Sequence, residues 1–135
     1  MAMDVYGRCP STDAGEFFAA SHWEWRPIHD LIIRLCYDLL DEELLVLLAN
    51  NDGAGPECQE TCTAMAQRFD HWMEHNVNGH RLESDLRVTS DGRILDDWEL
   101  AANPHVKTQS IYSVDDVQLK DWIEFLRHCG GFEVW

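Results

Sequence analysis

The sequence predicts an α+β domain: about four helices packed with a small antiparallel sheet, the sheet made of a hairpin near 86–95 and a C-terminal strand, 132–135. Three observations carry this expectation. Apolar residues recur at helical spacing through the stretches around 27–40 and 57–76. Asp91-Gly92 sits between two short apolar runs, which is hairpin chemistry. The closing "FEVW" follows Gly130-Gly131, a pair that stops a helix and lets the chain reverse. With 135 residues the chain fits one domain, 1–135, and a globule of that size buries roughly two thirds of the surface its unfolded chain exposes.

In chain order, residues 1–26 read as an irregular or extended arm with turn chemistry at "GRCPSTDAG". Pro27 fits a first helical position, where its fixed φ is suitable and its missing N–H costs nothing. Ile28, Leu31, Ile32, Leu35 and Leu39 then form the apolar stripe of a helix over about 27–40. Asp41 caps a short second helix, "EELLVLLAN", whose apolar residues nearly surround it and predict deep packing. "NNDGAGP" ends it, and a third helix runs over about 57–76 with Cys58, Cys62, Met65, Phe69, Trp72 and Met73 on one face before "NVNGH" stops it. After the hairpin, 96–112 is ambiguous, and Pro104 favours loop. Ser113 and Asp116 resemble a capping box for a last helix reaching about Arg127.

Charge narrows the function classes. With 25 acidic against 10 basic residues the net charge is −15, so the surface repels nucleic-acid backbone and anionic lipid, and direct nucleic-acid binding is not expected. A solvated acidic surface and a surface that attracts basic partners, including one that mimics nucleic acid, both fit this charge. No apolar run is long enough to span a membrane, and "MAMDVYGRCP" lacks the basic and apolar regions of a signal peptide. Five cysteines without a framework spacing favour reduced thiols in a cytoplasm.

The stretch "SHWEWRPIHD" concentrates the candidate binding residues. In an extended segment Trp23 and Trp25 share one face and Arg26 lies on the other. The rings then either cover the core while Arg26 pairs with Asp30 or Asp52, or they floor a groove gated by Arg26 for an aromatic or charged ligand. Asn51 and Asp52 of "NDGAG" join the candidate ligand-binding set, although helix termination alone explains the glycines. His29 with Asp52 and Arg26 is the constellation a small hydrolase or transferase would use. Thiol nucleophiles, Cys36 with His29 or Cys129 with His128, compete with the ordinary reading of free cysteine as a small hydrophobe. Cys58, Cys62, His71 and His75 have the look of a zinc set, but on one helix at about 100° per residue the thiols and imidazoles face opposite ways. The pair His71 and His75 remains as a metal candidate, with Asp70, Glu74 or His80 as a third ligand. No cofactor is expected.

"DVYGRCP", "WEWRP", "NDGAG" and "FLRHCGGFEVW" together resemble a family of small, uncharacterised bacterial and phage-associated proteins. The resemblance implies a common fold and supplies no activity. The expected function is therefore that of a small acidic, tryptophan-rich cytoplasmic protein that binds a ligand or a basic partner, with the hydrolase or transferase and the nucleic-acid-mimicking inhibitor as alternatives.

Overall fold

A computed structural model describes residues 2–76, 82–83, 87–89, 94–95, 102, 108–110, 113–114 and 116–135. In chain order its elements are β1 (Ala2–Gly7), β2 (Phe17–Ser21), α1 (His22–Cys36), α2 (Glu42–Leu47), α3 (Gln59–Asn76), β3 (Leu82–Glu83), β4 (Arg87–Thr89), β5 (Ile94–Leu95), β6 (Thr108–Ser110), β7 (Ser113–Val114), α4 (Asp116–His128) and β8 (Phe132–Val134). The architecture is α+β, as the periodicities predict.

The expected N-terminal arm is instead a hairpin. β1 and β2 pair antiparallel with Met3 opposite Ala20 and Val5 opposite Phe18. Those four side chains are buried, whereas Tyr6 and Phe17 meet on the outer face as tilted rings with centroids 5.2 Å apart. The alternation was present in "MDVY", but two alanines and a turn-rich connection hid its partner strand. β1 is the middle strand of the order β2-β1-β8, with Val5 opposite Val134 and Gly7 opposite Phe132. The C-terminal strand thus joins the N-terminal hairpin, not the one near 86–95. That second hairpin exists as β4 and β5, but its further neighbour is β6, and β3 pairs separately with β7. The Asp91-Gly92 turn, Pro104, His80 and residues 77–79 of "NVNGH" lie outside the described residues.

Helix α1 starts five residues before Pro27. Ser21 Oγ accepts from Glu24 N at 3.2 Å and Glu24 Oε1 accepts from Ser21 N at 2.9 Å, a complete capping box that overrides the proline signal. Pro27 therefore sits inside the helix, and what is lost is one hydrogen bond to the carbonyl of Trp23. Asp41 does cap α2, accepting from Leu44 N at 2.7 Å. Yet none of the α2 residues is fully buried: Leu44 and Leu45 pack half-buried against the core, Val46 and Leu47 are exposed, and the buried Leu48 lies just past the helix end. Ser113 lies in β7 and not at a helix cap; α4 opens at Asp116.

Helices α1, α3 and α4 pack one side of the β2-β1-β8 sheet around Trp122. Its indole lies 5.1 Å from Phe18, 5.4 Å from Trp25, 5.5 Å from Phe132, 5.7 Å from Phe125 and 6.2 Å from Phe69, centroid to centroid. At the sheet's end the stretches 4–10, 51–55 and 128–135 meet. Cys9 N donates to Cys129 O and Gly53 N to Val134 O. Arg8 Nε donates to Phe132 O at 3.1 Å, while its guanidinium reaches Gly55 O at 3.2 Å and Glu133 Oε1 at 2.8 Å. Arg8 thereby ties β1, the 54–57 loop and β8 into one joint. Among the described residues no helix is long and apolar enough to cross a membrane.

Candidate functional site

The segment "SHWEWRPIHD" has mainly a structural task. One turn apart on α1, Trp25 and His29 face the C-terminal end of α2, where helical carbonyls lack partners. Trp25 Nε1 donates to Leu48 O at 2.9 Å and His29 Nε2 to Leu45 O at 2.7 Å. The donation requires the proton on Nε2, which in the neutral ring leaves the lone pair on Nδ1. Beyond this point the chain tightens into i to i+3 bonds, Ala49 N to Val46 O and Asn50 N to Leu47 O. Leu45 O would otherwise have bonded Ala49 N in a continuing helix, so the imidazole replaces a lost backbone donor.

Because 22–36 is helical, Trp23 and Trp25 lie about 200° apart and not on one face. Trp25 is only 2% exposed, whereas Trp23 is half exposed with its ring edge-on to His22 at 5.9 Å. The indoles therefore do not floor a common groove. A cleft of about 290 Å³ is nevertheless present, lined by His22, Trp25, Arg26, His29, Asp30 and Ile33, with Ala49 at its edge. Arg26 and His29 share it; Asn51 and Asp52 are not among its lining residues. They lie exposed in the turn ahead of Gly53, which has a φ of 87° and is pinned to Val134 O at 2.7 Å. A Cβ at Gly53 would stand 2.5 Å from the Trp135 ring. The turn is thus fastened to the sheet's last strand, and the carboxylate in the cleft is Asp30.

Among the described residues, two further concavities border α2. One, of about 420 Å³, is lined by Leu39, Leu40, Leu44, Leu47 and Pro56 together with Asp41, Glu43 and Glu57. A second, of about 510 Å³, is lined by Glu42, Glu43, Val46 and Leu47 and shares Glu43 and Leu47 with the first. Val46 is 64% exposed and Leu47 37%. Sequence reasoning missed this surface because an apolar girdle reads as burial. The available signal was the helix's brevity, bounded by Asp41 on one side and Asn50-Asn51 on the other.

The thiols divide into two classes. Cys36, Cys62 and Cys129 are buried and Cys9 and Cys58 exposed, and all five are free. Burial pushes the Cys36 thiol up to about 12. A hydrogen bond to Cys129, together with burial, raises Cys62 as well, so Cys62 stays protonated and acts as the donor. Cys129 Sγ also lies 3.6 Å from Leu126 O, whereas His128 turns to Ser11 Oγ at 3.2 Å, so these neighbours do not form a thiol–imidazole pair. Cys58 differs. Immediately before α3, its Sγ lies 3.1 Å from Thr61 Oγ1, and the hydroxyl and then the amide of Thr61 lower its pKa. Cys58 is expected to react with iodoacetamide at neutral pH ahead of Cys9, with the three buried thiols protected until unfolding; peptide mapping of a time course checks this, and equal labelling of Cys36 would contradict the burial.

The zinc-like set separates, with Cys62 in the core and His71 and His75 exposed, but Cys58, expected beside Cys62 on the apolar face, is exposed because the helix opens only at Gln59. His71, Glu74 and His75 each bring one ligand atom within 4.8 Å of the others. The signal in the sequence was the spelling H-x-x-E-H, "HWMEH", the reverse of the H-E-x-x-H order sought in metalloproteases. Asp70 is directed elsewhere, to Arg127.

Comparison of the chain with protein-family models, curated proteins and solved structures found no match.

Proposed function

We propose that this is a small acidic binding protein whose α2 surface takes up a basic, amphipathic segment of a partner protein. The observation that supports this reading is α2 itself: a helix with none of its residues fully buried, exposed and apolar at Val46 and Leu47, lining two adjoining concavities in which apolar side chains alternate with the carboxylates of Asp41, Glu42, Glu43 and Glu57. Exposed apolar patches edged by charge suit helix-in-groove recognition, in which apolar anchors supply affinity and lysines or arginines steer approach. A net charge of −15 extends that steering beyond the groove. Nucleic-acid mimicry is the weaker alternative, since it calls for rows of carboxylates without an apolar floor. A hydrolase or transferase role for the α1 cleft rests on Arg26 and His29 lining it together. It is weaker because His29 is engaged in capping Leu45 and Asp52 is not among the lining residues. Five free thiols support placing the protein in a reducing, cytoplasmic compartment.

Titration of ¹⁵N-labelled protein with a lysine- and leucine-rich amphipathic helical peptide tests the reading. Amide shifts are expected to cluster on residues 39–47 and 55–61, and the double substitution Val46→Ser, Leu47→Ser to weaken binding at least about tenfold. Val117→Ser, at an equally exposed position on α4, is expected to leave it unchanged. Shifts spread over the whole acidic surface, or equal weakening by both sets of changes, would refute it.

A further inference from the structure

We propose that His71, Glu74 and His75 form a surface site for an imidazole-preferring divalent cation, Zn²⁺ in the first place. The three residues follow one another at i, i+3 and i+4 on α3, on the side away from the buried Cys62, Met65 and Phe69. One ligand atom from each lies within 4.8 Å of the other two, and all three residues are exposed. Tetrahedral coordination at about 2.0–2.1 Å wants ligand atoms roughly 3.3 Å apart. Rotation of exposed side chains closes that difference without moving the helix.

The pair is oriented as metal-binding imidazoles usually are. His75 Nδ1 donates to His71 O at 2.8 Å, which fixes the tautomer and leaves the lone pair on Nε2. A backbone carbonyl is among the commonest outer partners of a ligating histidine. The two rings lie 4.5 Å apart, centroid to centroid, close enough for one ion to bridge them. Their place in the final turns of α3 puts the cation at the negative end of the helix dipole. Among the described residues, Arg68 on the same helix is engaged with Asp38 and Leu35 O, and Arg127 on α4 with Asp70 and Glu124. Two nitrogens and one carboxylate oxygen leave at least one position for water, which makes this an open, exchangeable site and not a structural closure. Borderline N and O donors select Zn²⁺, Ni²⁺ or Cu²⁺ over Mg²⁺ or Ca²⁺.

The test is calorimetric titration of chelator-treated protein with ZnCl₂, in a Cys9→Ser, Cys58→Ser background that removes the exposed thiols as competitors. One ion per chain is expected, at a micromolar dissociation constant, with no heat from MgCl₂. His71→Ala and His75→Ala should each weaken binding by about ten- to a hundredfold and Glu74→Gln by a smaller factor. Circular dichroism should show all three variants folded, because the positions are exposed. Saturating ZnCl₂ should raise the melting temperature of the unsubstituted site and leave that of His71→Ala unchanged. Unchanged affinity in both histidine variants, or binding no tighter than millimolar before substitution, would overturn the assignment.

Discussion

Trp122→Ala is expected to lower stability by about 3–5 kcal/mol, the range for emptying a large aromatic from a core. Five aromatic rings surround this indole, three of them edge-on, and Phe69, Phe125 and Phe132 among them are themselves fully enclosed. They belong to the sheet and to all three long helices, so no single element can shift to fill the space. For a chain of this length, a melting-temperature fall of roughly 10–20 °C follows. Trp122→Phe is expected to cost much less. The indole Nε1 is buried and finds no acceptor among the described residues, so the smaller ring removes a desolvated donor along with some packing. Urea unfolding followed by circular dichroism separates the two variants. A Trp122→Phe protein as damaged as Trp122→Ala would mean that the N–H contributes stability.

Gly55→Ala and Gly131→Ala are expected to destabilise by about 2–4 kcal/mol each, through the backbone and without emptying the core. A Cβ on residue 55 would stand 1.9 Å from Phe132 O. That carbonyl cannot retreat, since it also accepts from Arg8 Nε, and β8 is held in register with β1. Residue 131 combines a φ of 90° with a prospective Cβ 2.7 Å from the Glu57 carbonyl. Relieving either clash pushes the 54–57 loop off β8 and breaks the bonds of Arg8 to Gly55 O and Pro56 O. In denaturant titrations both variants should lose midpoint while keeping the slope. A loss under about 0.5 kcal/mol at residue 55 would show that the joint is softer than its geometry implies.

What was legible in the sequence follows the reach of the interactions involved. Helices α3 and α4, the cap at Asp41 and the stop at Gly130-Gly131 rest on residues a few positions apart, and local pattern found them. The start of α1 was equally local, but "SHWE" and Pro27 offered competing signals and the capping box prevailed. Sheet pairing was not legible, because nothing near Val5 announces Val134. The site divides the same way. That Arg26 and His29 share a cleft follows from their spacing on one helix, whereas the position of Asp52 depends on a turn fastened to β8. The exposure of α2 was hidden because composition reports how apolar a segment is and not whether anything covers it.

The central position of β1 bears on how the protein is made. A ribosome releases β1 and β2 early, and they can pair at once, but the other edge of β1 waits for Phe132–Val134. At about 5–20 residues per second, the roughly 110 residues between β2 and β8 take roughly 5–20 s to appear. Throughout that interval Val5 and its neighbours present an unpaired strand edge, the kind of surface that recruits another chain or a chaperone. The slower the synthesis, the longer that edge stays open to another chain.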